Sequence, residues 1–110
     1  MANKYNNKVT EVDGKRFASK KEANYYQELC LRLKAKDIDC FILQPRYLLQ
    51  DGFVKNGQRY RPIYYVADFK IIHNDLSVEV VDCKGKKTQV YGIKKKLFEK
   101  LYPDLTITEI

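Results

Sequence analysis

Histidine is almost missing from this chain: there is a single one, His73. A histidine-rich metal site is excluded. Cysteine is scarce too, with Cys30, Cys40 and Cys83 forming an odd set and no CxxC pair. Neither a disulfide framework nor a zinc site is expected from that set. No stretch approaches the ~20 consecutive apolar residues that a membrane helix needs. The first residues, Met1 to Lys8, are polar and lack the apolar segment of a secretory signal. No internal repeat or low-complexity segment occurs. These absences lead to the expectation of a soluble, cytoplasmic protein with no membrane partner.

What is present suffices for one packed domain. A chain of 110 residues can bury roughly two-thirds of its unfolded surface. Hydrophobic residues make up 45% and aromatics 13%, so a core can form without covalent staples. Twenty-one Lys and Arg face fourteen Asp and Glu, a net charge of +7. That excess favours a polyanionic partner, because neutralising phosphates releases their counterions.

Residues 1–7 read as a polar, flexible arm ahead of one domain at 8–110. Residues 9–17 read as a hairpin around Asp13-Gly14, a strong turn pair. Ser19-Lys20-Lys21-Glu22 has capping-box spacing and opens a helix over 19–36, with an apolar stripe of Tyr25, Tyr26, Leu29, Leu31 and Leu33. A strand over 40–50 contains Pro45, which suggests an edge or a bulge. Asp51-Gly52 and Asn56-Gly57 mark a turn region. Strands follow at about 60–73 and 77–84, separated by His73-Asn74-Asp75, where His73 is expected to be exposed. Thr88 caps a helix over 89–102, whose apolar positions are Val90, Tyr91, Ile93, Leu97, Phe98 and Leu101. Pro103 ends it, and Leu105 to Ile110 alternates as a last strand. Tyr60, Tyr64, Tyr65 and Tyr91 read as packing residues.

The chemistry concentrates on two strands. Side chains alternate faces along a strand, so Val78, Val80, Asp82 and Lys84 should share one face. Tyr64, Val66, Asp68 and Lys70 should share another. In both, charges interrupt an apolar face, which is costly without compensation. A short turn joins the two strands, so Asp68 and Asp82 are expected side by side at one end of the sheet. Two close carboxylates repel unless a proton or cation intervenes. Mg²⁺ (or Mn²⁺), with its preference for oxygen ligands, is the natural answer.

An Asp on one strand followed by Asp-x-Lys on the next is similar to the signature of the PD-(D/E)XK nucleases. The resemblance runs from about Phe17 to Ile110. It takes in Ser19-Lys20-Lys21-Glu22-Ala23, Tyr65-Val66-Ala67-Asp68-Phe69, Asp82-Cys83-Lys84-Gly85 and Tyr91-Gly92-Ile93-Lys94. These segments resemble small phage-encoded proteins of that class, some endonuclease-like or resolvase-like. The resemblance implies an α/β (α+β mixed sheet) fold: a restriction-endonuclease-like αβββαβ core, here with an N-terminal β-hairpin. It implies a metal-dependent DNA endonuclease acting in the cytoplasm (the host's, if phage-encoded). Its substrate is duplex DNA or a branched DNA such as a Holliday junction, and both stay open. A homodimer is implied by the small resolvases of the class.

Roles carry over residue by residue. Asp68 and Asp82 match the metal ligands, and the backbone carbonyl of Cys83 is a third candidate. Lys84 matches the motif lysine, which orients or helps to deprotonate the attacking water and stabilises charge on phosphate. Glu22 matches an acidic residue that some members carry on the first helix, although a capping role alone would account for it. Ala67 departs from the pattern, standing where the motif name has proline. Lys86, Lys87, Gln89, Lys94 and Lys95 are candidate nucleic-acid contacts beside that centre, or simply a solvated face. The alternative is a non-catalytic, basic nucleic-acid-binding module. It accounts for the charge of +7 but not for carboxylates placed where they repel phosphate.

Overall fold

The computed structural model describes residues 9–84 and 87–110. The expected arm at 1–7, Gly85 and Lys86 lie outside the described residues. Strands β1 (Thr10–Val12) and β2 (Lys15–Phe17) pair antiparallel. Their turn places Asp13 at φ 53 and Gly14 at φ 75, the paired left-handed geometry that two-residue hairpins favour. Helix α1 spans Lys20–Lys34, and the Ser19 side chain accepts the Glu22 N–H at 3.1 Å.

The inner face of α1 differs from the apolar stripe expected. Glu22, Ala23, Tyr26 and Leu29 are buried, whereas Leu31 and Leu33 are exposed. Helical periodicity is the reason: at about 100° per residue, Leu31 falls on the face opposite Glu22. A carboxylate therefore occupies the buried face of this helix.

Six short strands then build one long antiparallel ribbon. They are β3 (Cys40–Leu43), β4 (Arg46–Gln50), β5 (Phe53–Lys55), β6 (Gln58–Tyr60), β7 (Ile63–Val66) and β8 (Phe69–Ile72). β3 pairs with β8, β4 with β7 and β5 with β6. The turn is Asn56-Gly57, at φ 52 and φ 74. Residues 51–59 are thus not one turn region, because β5 and most of β6 lie inside it. Gly52 serves a bend instead: a Cβ there would meet the Tyr60 carbonyl oxygen at 3.0 Å and Pro62 Cδ at 3.1 Å. The expected irregularity at Pro45 is present. Gln44 adopts φ 49, its N–H donates to the Asp68 carbonyl at 3.0 Å, and Pro45 accepts the Ala67 N–H at 3.1 Å.

This break redirects side chains. Tyr65 and Ala67 enter one core cluster, while Phe69 and Ile71 enter the other. Strict alternation would put all four on one face. Tyr64, Val66, Asp68 and Lys70 consequently do not share a face as expected; Val66 points to solvent.

Strand β9 (Val78–Asp82), helix α2 (Gln89–Leu101) and strand β10 (Ile107–Glu109) complete the chain. The main sheet has the order β10-β9-β8-β3, with β10 parallel to β9 and the other neighbours antiparallel. The fold is a mixed α/β one, with helix, three sheet strands, helix and strand in that order after the first hairpin. Val81 packs with α1 and Val80 with α2, so the helices cover opposite faces. Helix α2 buries Tyr91 and Phe98, while Val90, Ile93, Leu97 and Leu101 form an exposed stripe. All six are apolar positions whose spacing marks the helix in the sequence, and of them Tyr91 and Phe98 are buried. Among the described residues no helix is long and apolar enough to cross a membrane.

Among the described residues, the buried hydroxyl of Tyr47 in the α2 cluster has no hydrogen-bond partner. An unsatisfied buried donor costs about 1–3 kcal/mol. Tyr47→Phe should therefore raise unfolding stability by about 1 kcal/mol in urea denaturation; a loss of stability would show that the hydroxyl is bonded in solution.

Candidate active site

The antiparallel register places Phe69 opposite Val81, so the preceding Asp68 lies beside Asp82. The Asp68 N–H donates to the Val81 carbonyl at 3.2 Å, and the Cys83 N–H donates to Asp68 Oδ2 at 2.7 Å. Asp82 is 2% exposed. Its Oδ2 accepts a hydrogen bond from the Tyr65 hydroxyl, and its Oδ1 lies 3.1 Å from Lys84 Nζ. The Lys84 ammonium also sits over the Tyr91 ring, 4.0 Å from its centroid. An ion pair on one side and an aromatic face on the other fix the position of this cation.

Helix α1 brings the third carboxylate. The backbone N–H of Glu22 serves the Ser19 cap, and its side chain is buried at the pocket beside the Ala18 N–H. Glu22 and Asp68 join Asp82, Cys83 and Lys84 around a pocket of about 190 Å³ that also touches Lys21. The Ser19 cap and the placement of Glu22 at the pocket thus coexist. A neighbouring hollow of about 140 Å³ joins Glu22 and Asp68 to Lys15, Arg16 and Gln44.

The electrostatics reflect carboxylates held at close quarters. Burial, then the charge of Asp82, pushes the Glu22 carboxyl above the usual range, against the Ala18 N–H and Lys84. Burial also raises Asp68, to about 7, helped by its hydrogen-bonded neighbour Asp82 and by Glu22, and opposed by the Cys83 N–H. Burial, then Asp68, Glu22 and Asp82, lifts the Cys83 thiol to about 12. A hard divalent cation prefers oxygen, so the backbone carbonyl of Cys83 is its better-suited donor. The phenols of Tyr65 and Tyr91 are raised as well, by burial and by the carboxylates they donate to.

Asp68 is 3.8 as an ordinary carboxyl and about 7 here, so between those values the folded state holds more proton than the unfolded one. Its contribution to stability is full below about pH 4 and is lost as pH rises through 7. Urea midpoints of wild type and Asp68→Asn should draw together toward pH 4 and separate toward pH 8, with the wild type falling relative to the variant. A constant difference across that range would contradict the crowding.

Among the described residues, no three His, Cys, Asp or Glu side chains already close around a single point as metal ligands. The donor chemistry still fits a hard divalent cation: Glu22, Asp68 and Asp82 offer only oxygen, and their mutual repulsion is what such a cation relieves.

The remaining candidates are scattered around this centre. Lys87 lies 3.1 Å and Lys95 3.5 Å from the Glu109 carboxylate. Gln89 is exposed at the start of α2 and Lys94 is half-buried in it; Lys86 lies outside the described residues. His73 is half-buried, 2.9 Å from Glu79, not exposed as its turn position suggested. Sequence reasoning missed Glu109, which accepts the Tyr91 hydroxyl at 2.6 Å and pairs with Asp82 across the parallel strands. It also treated Tyr65 and Tyr91 as packing alone. Lys21 at the pocket, and Lys15, Arg16 and Gln44 at the neighbouring hollow, carried no signal, because only the folded helix, hairpin and β3–β4 break bring them there.

The chain matches the family described as "Protein of unknown function (DUF1064)" over residues 2–110, and it belongs to that family. No curated protein and no solved structure matches it.

Proposed function

We propose that this protein is a metal-dependent DNA endonuclease of the PD-(D/E)XK type, acting in the cytoplasm. One observation carries the reading. Glu22, Asp68, Asp82 and Lys84, dispersed along the chain, line one pocket of about 190 Å³. Asp68 and Asp82 would hold Mg²⁺ or Mn²⁺, with Glu22 and the Cys83 carbonyl as further donors. When bound, such an ion would supply Lewis acidity toward a phosphate oxygen and a more acidic water. Lys84, fixed by Asp82 and Tyr91, presents its ammonium to the phosphate and stabilises charge as water adds to phosphorus. Glu22 stands ready to take the proton of that water. The bond from phosphorus to one sugar oxygen breaks, and the leaving oxygen is protonated from solvent. A homodimer would place two such centres on opposite strands.

A non-catalytic nucleic-acid-binding module is the second reading, favoured by the Lys84–Asp82 ion pair, which already neutralises one carboxylate. Labelled linear duplex, single-stranded DNA and a four-way junction, each with Mg²⁺, Mn²⁺ or EDTA, separate the two. Metal-dependent cutting, abolished by Lys84→Met, is the expected result, and symmetric cuts confined to the junction would define a resolvase. Binding without cutting in either metal would leave only the second reading.

A further inference from the structure

A domain of 110 residues has an expected radius of gyration of about 13 Å when compact. This one has 16.1 Å, with a longest extent of 54 Å. The β4–β7 ribbon continues outward into β5–β6. From Arg46 to the Asn56-Gly57 turn it reaches on the order of 30 Å, at ~3.3 Å per residue. Its outer strands β5 and β6 pack chiefly on each other. Such an arm is unusual in so small a protein, and its side chains are unusual for a surface. Phe53 and Tyr60 stack at 4.7 Å between centroids while remaining 44% and 46% exposed. Val54 beside them is 66% exposed.

The charge on this arm identifies the partner. Between Arg46 and Val66 the bases are Arg46, Lys55, Arg59 and Arg61, against Asp51 as the sole acid. Arg46 lies over the Tyr64 ring at 4.1 Å. A self-pairing of two such arms would bring like charges together, whereas a phosphate backbone complements them. The B-DNA major groove admits a two-stranded β-ribbon, but the deep, narrow major groove of A-form RNA does not. The arm also continues, strand for strand, from the segments that carry Asp68.

We propose that the β5–β6 arm is a duplex-DNA-binding element that enters the major groove with the face shared by Phe53, Lys55 and Tyr60 toward the DNA, Phe53 and Tyr60 against base edges and Lys55 on a phosphate, while Arg59, from the other face, and Arg61, beyond the strand end, reach round to flanking phosphates. This deepens the nuclease reading and rests on it for its biological sense. Binding, however, is tested without metal, so the two can fail separately.

The experiment measures affinity for a labelled 30-bp DNA duplex by fluorescence anisotropy in EDTA, across a salt series. Wild type, Lys55→Ala/Arg59→Ala/Arg61→Ala and Phe53→Ala/Tyr60→Ala are compared, with cleavage in Mg²⁺ measured in parallel. Each lost phosphate contact lowers the slope of log K against log salt by about 0.9. The triple variant should lose at least about 10-fold in affinity, with a slope lower by about 2 to 3. Its thermal melting should be unchanged, because the three side chains are exposed. The aromatic variant should weaken binding at an unchanged slope. Unchanged affinity and slope in the triple variant would overturn the proposal, even if the wild type cuts DNA. An equal loss on a matched RNA duplex would overturn the groove assignment. A wild-type dimer that the aromatic variant dissociates in sedimentation, with DNA affinity intact, would make the arm a self-association surface. Loss of binding in the triple variant with no cleavage by the wild type would uphold the arm and remove the nuclease.

Discussion

Asp82→Asn should lower the rate of DNA cleavage at least about 10³-fold, within the range of groups that position a metal or stabilise transition-state charge. Three features of Asp82 lead to this size. It is the most buried of the pocket carboxylates, it carries the Lys84 ammonium on Oδ1, and it takes the Tyr65 hydroxyl on Oδ2. Asparagine keeps the shape and one acceptor but loses the charge that holds both a cation and Lys84. The effect therefore falls on cleavage and not on DNA affinity. Affinity measured in EDTA should be unchanged or slightly tighter, since a negative charge near phosphate has been removed. Single-turnover cleavage, anisotropy and far-UV circular dichroism on the same preparation separate the cases. Full activity in a folded Asp82→Asn would remove Asp82 from the centre. A loss of activity in step with a loss of helical signal would make its role structural.

Phe98→Ala should cost about 3–5 kcal/mol of unfolding stability, the usual range for removing a fully buried aromatic. Phe98 is 0% exposed. Its ring centroid lies 5.0 Å from that of Tyr47, 5.3 Å from Tyr65 and 5.2 Å from Tyr102. Three of the rings packed around it are large and would have to shift together to fill the space it leaves. Typical domains have only about 5–15 kcal/mol in total, so a large part of the stability rests on this ring. The consequence reaches the pocket, because Phe98 supports Tyr65 and Tyr65 holds Asp82. Urea denaturation should show a lowered midpoint, and cleavage should fail at a lower temperature than in the wild type. A loss under about 1 kcal/mol would mean that this aromatic cluster is not the core beneath α2.

The parts legible in the sequence were those with local causes. Ser19 and Thr88 announced both helix starts, and each side chain accepts the N–H expected of it, from Glu22 and Tyr91. Asp13-Gly14 announced the first turn. The approach of Asp68 to Asp82 was legible because a short turn between two strands sets an antiparallel register. What was not legible depended on non-local placement. Glu109 comes beside Asp82 only because β10 runs parallel beside β9, and no periodicity encodes that neighbour. The redirected faces around Ala67 and Asp68 arise from the left-handed Gln44 opposite them. The exposed stripe on α2 was not legible for another reason: this helix carries apolar residues around much of its circumference, so their spacing alone does not select the buried side. The ribbon was hidden because exposed Phe53, Val54 and Tyr60 look like core residues when only their type is read.

The most direct test of the central claim is the conversion of supercoiled plasmid by the purified protein in Mg²⁺ and in Mn²⁺, with EDTA and Asp82→Asn as controls. The carboxylate pocket predicts nicked or linear product with either metal, none in EDTA, and little or none with the variant. Intact plasmid in both metals, or cutting that persists in EDTA or in Asp82→Asn, would contradict it.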